Sequence, residues 1–203
     1  MNQSQPLEVT EDRDLRNPDT VVELFQRSAA TFRGVLDGVR PDHHRLMTPC
    51  EPLDVAELVA KAIGHQDWTR SAIDGHGGPP SYPHIDPHDW TTMFDRSAEA
   101  MAATLSDPDA MQRTVTLAAG LAFPGHDVGL LATRNTFQFA WDLATATNQN
   151  VDLNPALAAE LLEISRTHLI PQRGPNGFFG PEHVPPAGAP TATILAGYLG
   201  RPV

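Results

Sequence analysis

Apolar residues recur at helical spacing in four long segments, each closed by proline, glycine or a polar turn, and this period constrains the fold more than any other feature. The first segment opens at Asn17-Pro18-Asp19, with an early proline and an acid in the first turn. It carries Val21, Leu24, Phe25, Phe32, Val35 and Leu36 to about Val39, and Pro41 ends it. The second begins at Asp54, with Glu57 three residues on, a spacing that suits a capping box. Val55, Leu58, Val59, Ala62, Ile63 and Ala72 then point toward a core. A third helix spans roughly Trp90 to Leu105, and a fourth runs from about His126 to Thr147. Four long amphipathic helices bury their stripes against one another as a four-helix bundle, so the expected class is mainly α.

Shorter pieces complete the outline. "RTVTLAAGLAFPG" alternates and breaks at glycine, as a short β-hairpin does. Asn154-Pro155 starts a fifth helix ending near His168, and a last one spans Thr191 to Leu199. Between them "PQRGPNGFFGPEHVPPAGAP" is a Pro/Gly-rich C-terminal extension expected to wrap the surface. Gly75 to Asp89, rich in Gly, Pro and His, reads as a long ordered loop or lid. Residues 1–16 are polar and acidic and expected to be a flexible N-terminus, leaving 17–203 as one domain.

The fourth helix raises a question. Val128, Leu131, Asn135, Phe139 and Asp142 share one helical stripe that should face the core, yet the stripe holds an amide and a carboxylate. Composition narrows what they serve. With a formal net charge of -11, the chain repels phosphate backbones, and no nucleic-acid partner is expected. The 14 Lys and Arg residues form no basic block, and Lys61 is the single lysine. Cys50 is the single cysteine, so no internal disulfide exists and a reducing, cytoplasmic location fits. No signal-peptide pattern or membrane-length apolar run is present.

Several stretches together resemble one family. "TPCEPLDVAELVAKAIG", "FAWDLATATNQNVDLNP" and "FFGPEHVPPAGAPTATILAGYLGR", in that order and with the hairpin between the first two, are similar to segments of the DinB-like superfamily. The matching branch contains the N-terminal domain of mycothiol-dependent maleylpyruvate isomerase and its short single-domain relatives. The resemblance covers about residues 18–202 and implies a DinB-like four-helix bundle. It also implies a metal, usually zinc or nickel, held by a histidine on the second helix and an acid and a histidine spaced i, i+4 on the fourth. Those positions here are Lys61, Asn135 and Phe139. An ammonium cannot ligate while protonated, a phenyl ring never does, and a lone amide oxygen is a poor zinc ligand. Metal and cofactor are therefore both expected to be none, and the polar stripe marks where the family keeps its metal.

What remains is a remodelled pocket. Lys61 and His65 are the expected catalytic groups, with Lys61 as base, Schiff-base amine or anion anchor and His65 as acid/base group, the alternative for His65 being a helix-surface histidine with no chemical role. The bland alternative for Lys61 is a side chain that reaches solvent or pairs with Asp142. Asn135, Phe139, Trp68, Gln138 and Asp142 are the expected substrate-binding set, with Phe139 merely filling the metal's place as the alternative. Cys50 reads as a buried structural thiol, and His43-His44 as exposed. His76, His84 and His88 with Asp86 read as a lid or solvated loop, since a Pro-broken loop does not align them for a metal. The expected function is a metal-independent isomerase, cyclase or lyase of a specialised (secondary-metabolic, natural-product) pathway, acting on a small-molecule substrate as a monomer or homodimer with no membrane partner. The alternatives are a non-catalytic binding or accessory protein, and a thiol (mycothiol) transferase or isomerase.

Overall fold

The computed structural model describes residues 13–82, 84–117, 120–171, 173 and 179–203. The chain order is α1 (Pro18–Leu36), α2 (Val55–Ile73), α3 (Trp90–Leu105), α4 (Pro108–Gln112), β1 (Thr114–Thr116), β2 (Ala122–Pro124), α5 (Gly125–Ala146), α6 (Pro155–Thr167) and α7 (Thr191–Tyr198). The bundle comprises α1, α2, α3 and α5; α1 packs along α5, and α2 lies against both α3 and α5. The hairpin pairs antiparallel with Val115 opposite Phe123.

Local chemistry sets the helix starts. Asn17 accepts from the Asp19 N–H, with Pro18 in the first turn of α1. Asp54 and Glu57 exchange hydrogen bonds with each other's backbone N–H, both 2.9 Å, so the expected capping box forms. Phe32 and Phe94 stack with centroids 4.5 Å apart and lock α1 to α3. At Gly129 a Cβ would lie 2.6 Å from Leu105 and 2.9 Å from Val21, so a larger residue would make those two side chains shift where α5 passes between α1 and α3.

Three expectations change. α5 is not buried along one stripe: from Val128 to Ala144 every residue is buried except Leu131 and Asn135, which are half-buried. Being enclosed on nearly all sides, the helix has its most open line where the sequence pattern placed its core face. His43 is buried rather than exposed, because its Nδ1 accepts the Arg40 N–H at 3.2 Å. Residues 13–16 are tied down: Arg13 pairs with Glu23 at 3.2 Å and with Glu160 at 3.0 Å, linking the chain to α1 and α6. Residues 1–12 lie outside the described residues.

Where it is described, the C-terminal extension lies against α7. The His183 N–H donates to the Gly197 carbonyl at 3.0 Å, and a Cβ on Gly197 would meet that same His183 backbone at 2.2 Å. Among the described residues no helix is long and apolar enough to cross a membrane.

Candidate functional site

Helix geometry brings Lys61, His65 and Trp68 onto one line of α2, and Asn135, Phe139 and Asp142 onto the facing line of α5. Lys61 is half-buried, and its Nζ donates to the buried Cys50 Sγ at 3.7 Å. The same ammonium lies 5.8 Å from the centre of the Phe139 ring. That ring also meets His65 edge-on at 5.8 Å, so it neighbours both polar groups of α2.

His65 has a definite tautomer. Thr69 Oγ1 spends its proton on the His65 carbonyl at 2.7 Å, so its 3.3 Å contact with Nδ1 is one it can only accept. Nδ1 therefore carries the proton, and Nε2 accepts from the Asn135 amide at 3.1 Å. The ring edge keeps some contact with solvent, yet burial is the main cause that brings its pKa from 6.5 down to about 4, with the Lys61 charge second. At neutral pH His65 is thus an uncharged acceptor that orients Asn135.

Below these groups lies a buried ion pair. Asp142 has no solvent exposure and takes two hydrogen bonds of 2.8 Å from Arg201, one at each oxygen. Gln138 Nε2 adds a 3.4 Å contact. Burial pushes the Asp142 carboxyl up, against the opposing pull of Arg201, Gln138 and Lys61. Arg201 moves up as well: burial opposes its charge, but the hydrogen bond and charge of Asp142 outweigh that at the less enclosed end. Pairing of Lys61 with Asp142 is therefore replaced by pairing of Asp142 with Arg201, and the lysine turns to Cys50.

The loop after α2 closes over this face. Trp68 Nε1 donates to the Gly78 carbonyl at 2.6 Å. A Cβ on Gly64 would lie 2.9 Å from both the Ser81 carbonyl oxygen and the Tyr82 ring, so glycine is needed where the strap crosses α2. Cys50 also contributes to the upward shift of the Tyr82 hydroxyl, second to burial. His76, His84 and His88 are exposed on this loop, and Asp86 caps the His88 N–H at 2.9 Å. Two shallow clefts, of about 250 Å³ beside Leu36, His44 and Trp90 and about 450 Å³ beside Arg33 and Phe94, lie elsewhere and do not include Lys61.

Of the seven expected site residues, Lys61, His65, Asn135 and Phe139 meet between α2 and α5, with Trp68 against His65 on one side and Gln138 against Asp142 on the other. Cys50, Tyr82 and Arg201 were not expected there. Cys50 was readable in sequence only as a buried thiol, while Tyr82 and Arg201 arrive from a loop and from the segment after α7 with no spacing to announce them.

No protein-family model matches the chain. It is similar to the uncharacterized protein Rv0738 of Mycobacterium tuberculosis, 34% identical over 184 residues that cover 88% of this chain and 96% of the relative. The uncharacterized protein MT0763, from another strain of that species, matches to the same extent. In structure the chain is similar to the mycothiol-dependent maleylpyruvate isomerase, with a TM-score of 0.57 at 13% identity over 73% of this chain and 70% of that one. A point mutant of that enzyme gives a TM-score of 0.54 at 15% identity. This likeness carries the fold, in agreement with the resemblance read from the sequence, and the sequence match carries kinship: the chain belongs to the family of the mycobacterial protein Rv0738, built on a DinB-like helical bundle.

Proposed function

We propose that the chain is a metal-independent enzyme of the isomerase, cyclase or lyase type, acting on a small organic anion held at Lys61. The observation that supports this reading is the half-buried ammonium itself. Among the described residues no carboxylate stands within 4.0 Å of it, and the one beneath it is committed to Arg201. A charge kept partly out of water without a counterion favours an anionic guest. Lys61 would hold a carboxylate or enolate oxygen and stabilise negative charge as it develops. The Asn135 amide, oriented by neutral His65, would donate to a carbonyl after rotating off Nε2. Phe139 and Trp68 would cover the apolar part of the guest. Mycothiol dependence belongs to the structural neighbour and has no ligand set here to support it.

A non-catalytic binding protein is the second reading, favoured by Phe139, whose ring already neighbours both Lys61 and His65. Titration of the protein with maleate and benzoate, followed by calorimetry, tests the anion site. Saturable binding that weakens at least about tenfold in Lys61→Met, roughly 1.4 kcal/mol, supports it. Equal binding by parent and variant overturns it. Binding without turnover of any bound acid selects the second reading.

A further inference from the structure

A second cluster of polar side chains lies at the other end of α5. His126 and Asp127 sit in its first turn, and His168 caps the end of α6. Each offers one ligand atom, and these atoms all lie within 4.8 Å of one another. His168 Nε2 is 2.6 Å from Asp127 Oδ1, and His126 Nε2 is 3.4 Å from the same oxygen.

The far nitrogen of His126 decides how that contact reads. Its Nδ1 is 3.3 Å from the Met111 carbonyl oxygen, which can only accept. The proton of a neutral His126 therefore sits on Nδ1, and the Nε2 lone pair faces a carboxylate oxygen. Unless a second proton charges the ring, two acceptors face each other there, an arrangement that a cation between them would relieve. A ring whose remote N–H is held by a backbone carbonyl also has the support that metal-bound histidines usually receive. Packing fixes that carbonyl: a Cβ on Gly125 would lie 2.1 Å from the Ala110 oxygen and 3.0 Å from Met111 Cα, so the glycine lets α4 press against the start of α5.

We propose that His126, Asp127 and His168 bind one divalent transition-metal ion of the zinc class, clipping the start of α5 to the end of α6. Two imidazoles and one carboxylate are a donor set for zinc, cobalt or nickel rather than for magnesium or calcium, and water completes the coordination. Tetrahedral bonds of about 2.0–2.1 Å set donors roughly 3.3–3.5 Å apart. The short Asp127–His168 pair must open by about 0.8 Å and the widest pair close by up to about 1.4 Å. His168 is 35% exposed at a helix end and can supply that movement. The negative charge of Asp127 offsets the positive end of the α5 dipole. The site is independent of the Lys61 position: thirteen residues separate His126 from Phe139, about 20 Å along the helix axis.

Chelator-treated protein titrated with zinc by calorimetry, and with cobalt by visible absorption, tests the proposal. The expected result is one equivalent bound, with the intense visible bands of low-coordinate cobalt. Binding should weaken at least about 100-fold in His168→Ala and in Asp127→Asn and persist in Lys61→Met. Zinc should also move the ring NMR signals of His126 and His168 in the unmodified protein and leave those of His65 in place, a readout that needs no variant to fold. Absence of saturable 1:1 binding overturns the proposal, as does zinc binding that survives His168→Ala or shifts other histidines instead.

Discussion

Arg201→Met isolates the energetics of the charge pair beneath the site. Methionine keeps most of the arginine stem and removes the guanidinium, leaving Asp142 with no solvent exposure and only a 3.4 Å contact from Gln138. Breaking one side of a buried ion pair costs about 3–5 kcal/mol. For a chain of this length that lowers the melting temperature by about 6–20 °C. The pH dependence follows from the direction of the Asp142 shift. Its folded pKa already lies above the ordinary carboxyl value because burial dominates, and losing Arg201 raises it further. A raised acid contributes stability that is complete below the unfolded pKa and is lost as pH climbs through the folded one. The gap between variant and parent should therefore narrow from pH 7 to pH 5. Adding Asp142→Leu should recover most of the loss at pH 7, because a pair replaced by apolar groups of similar size is close to neutral. Urea unfolding of parent, single and double variants at both pH values is the assay. A single variant within about 1 kcal/mol of the parent would refute the reasoning, since that is the scale of an exposed pair.

Lys61→Met should fold as stably as the parent or slightly more so in thermal melts, while Lys61→Arg should bind carboxylates as poorly as Lys61→Met because a planar guanidinium does not replace a compact ammonium. Gly64→Ala forces a methyl against the Ser81 backbone and Tyr82; the strap should lift, seen as faster exchange of the Trp68 indole N–H with little change in the bundle amides. His65 is held neutral down to about pH 4, so its share of stability is full above its unfolded pKa near 6.5 and is lost as pH falls through 4. His65→Gln should flatten the acid limb of the stability curve, by at most about 3.5 kcal/mol at 1.4 kcal/mol per pKa unit; an unchanged limb would show the ring to be solvated. Lys61→His, Asn135→Glu and Phe139→His combined in a His168→Ala background should create zinc binding between α2 and α5 if the family resemblance aligns these positions correctly.

Backbone chemistry was legible because it is local. The Asp54–Glu57 box, the prolines opening α1 and α6 and the span of α3 all rest on residues within one turn of each other. α4 escaped notice because a five-residue helix is too short to show a period. The stripe on α5 is not a core face set against a solvent face: the helix is enclosed on nearly all sides, so burial does not follow the pattern, and of the stripe's two polar residues Asn135 is half-buried while Asp142 is fully enclosed. The gathering of Lys61, His65, Asn135 and Phe139 follows from helical spacing plus the resemblance. The Arg201–Asp142 pair spans 59 residues, and its partners share no pattern. His126, Asp127 and His168 were equally hidden, since His168 comes 41 residues after Asp127 from a different helix.

The span between Asp142 and Arg201 also has a consequence in time. A ribosome adding about 5–20 residues per second makes the carboxylate some 3–12 s before the guanidinium that neutralises it. During that interval α5 can form as a helix, but seating Asp142 against the bundle means burying a lone charge or holding a proton. This side of α5 is therefore expected to stay unseated until Arg201 has been made, so that closure of the bundle over Asp142 waits on that one residue.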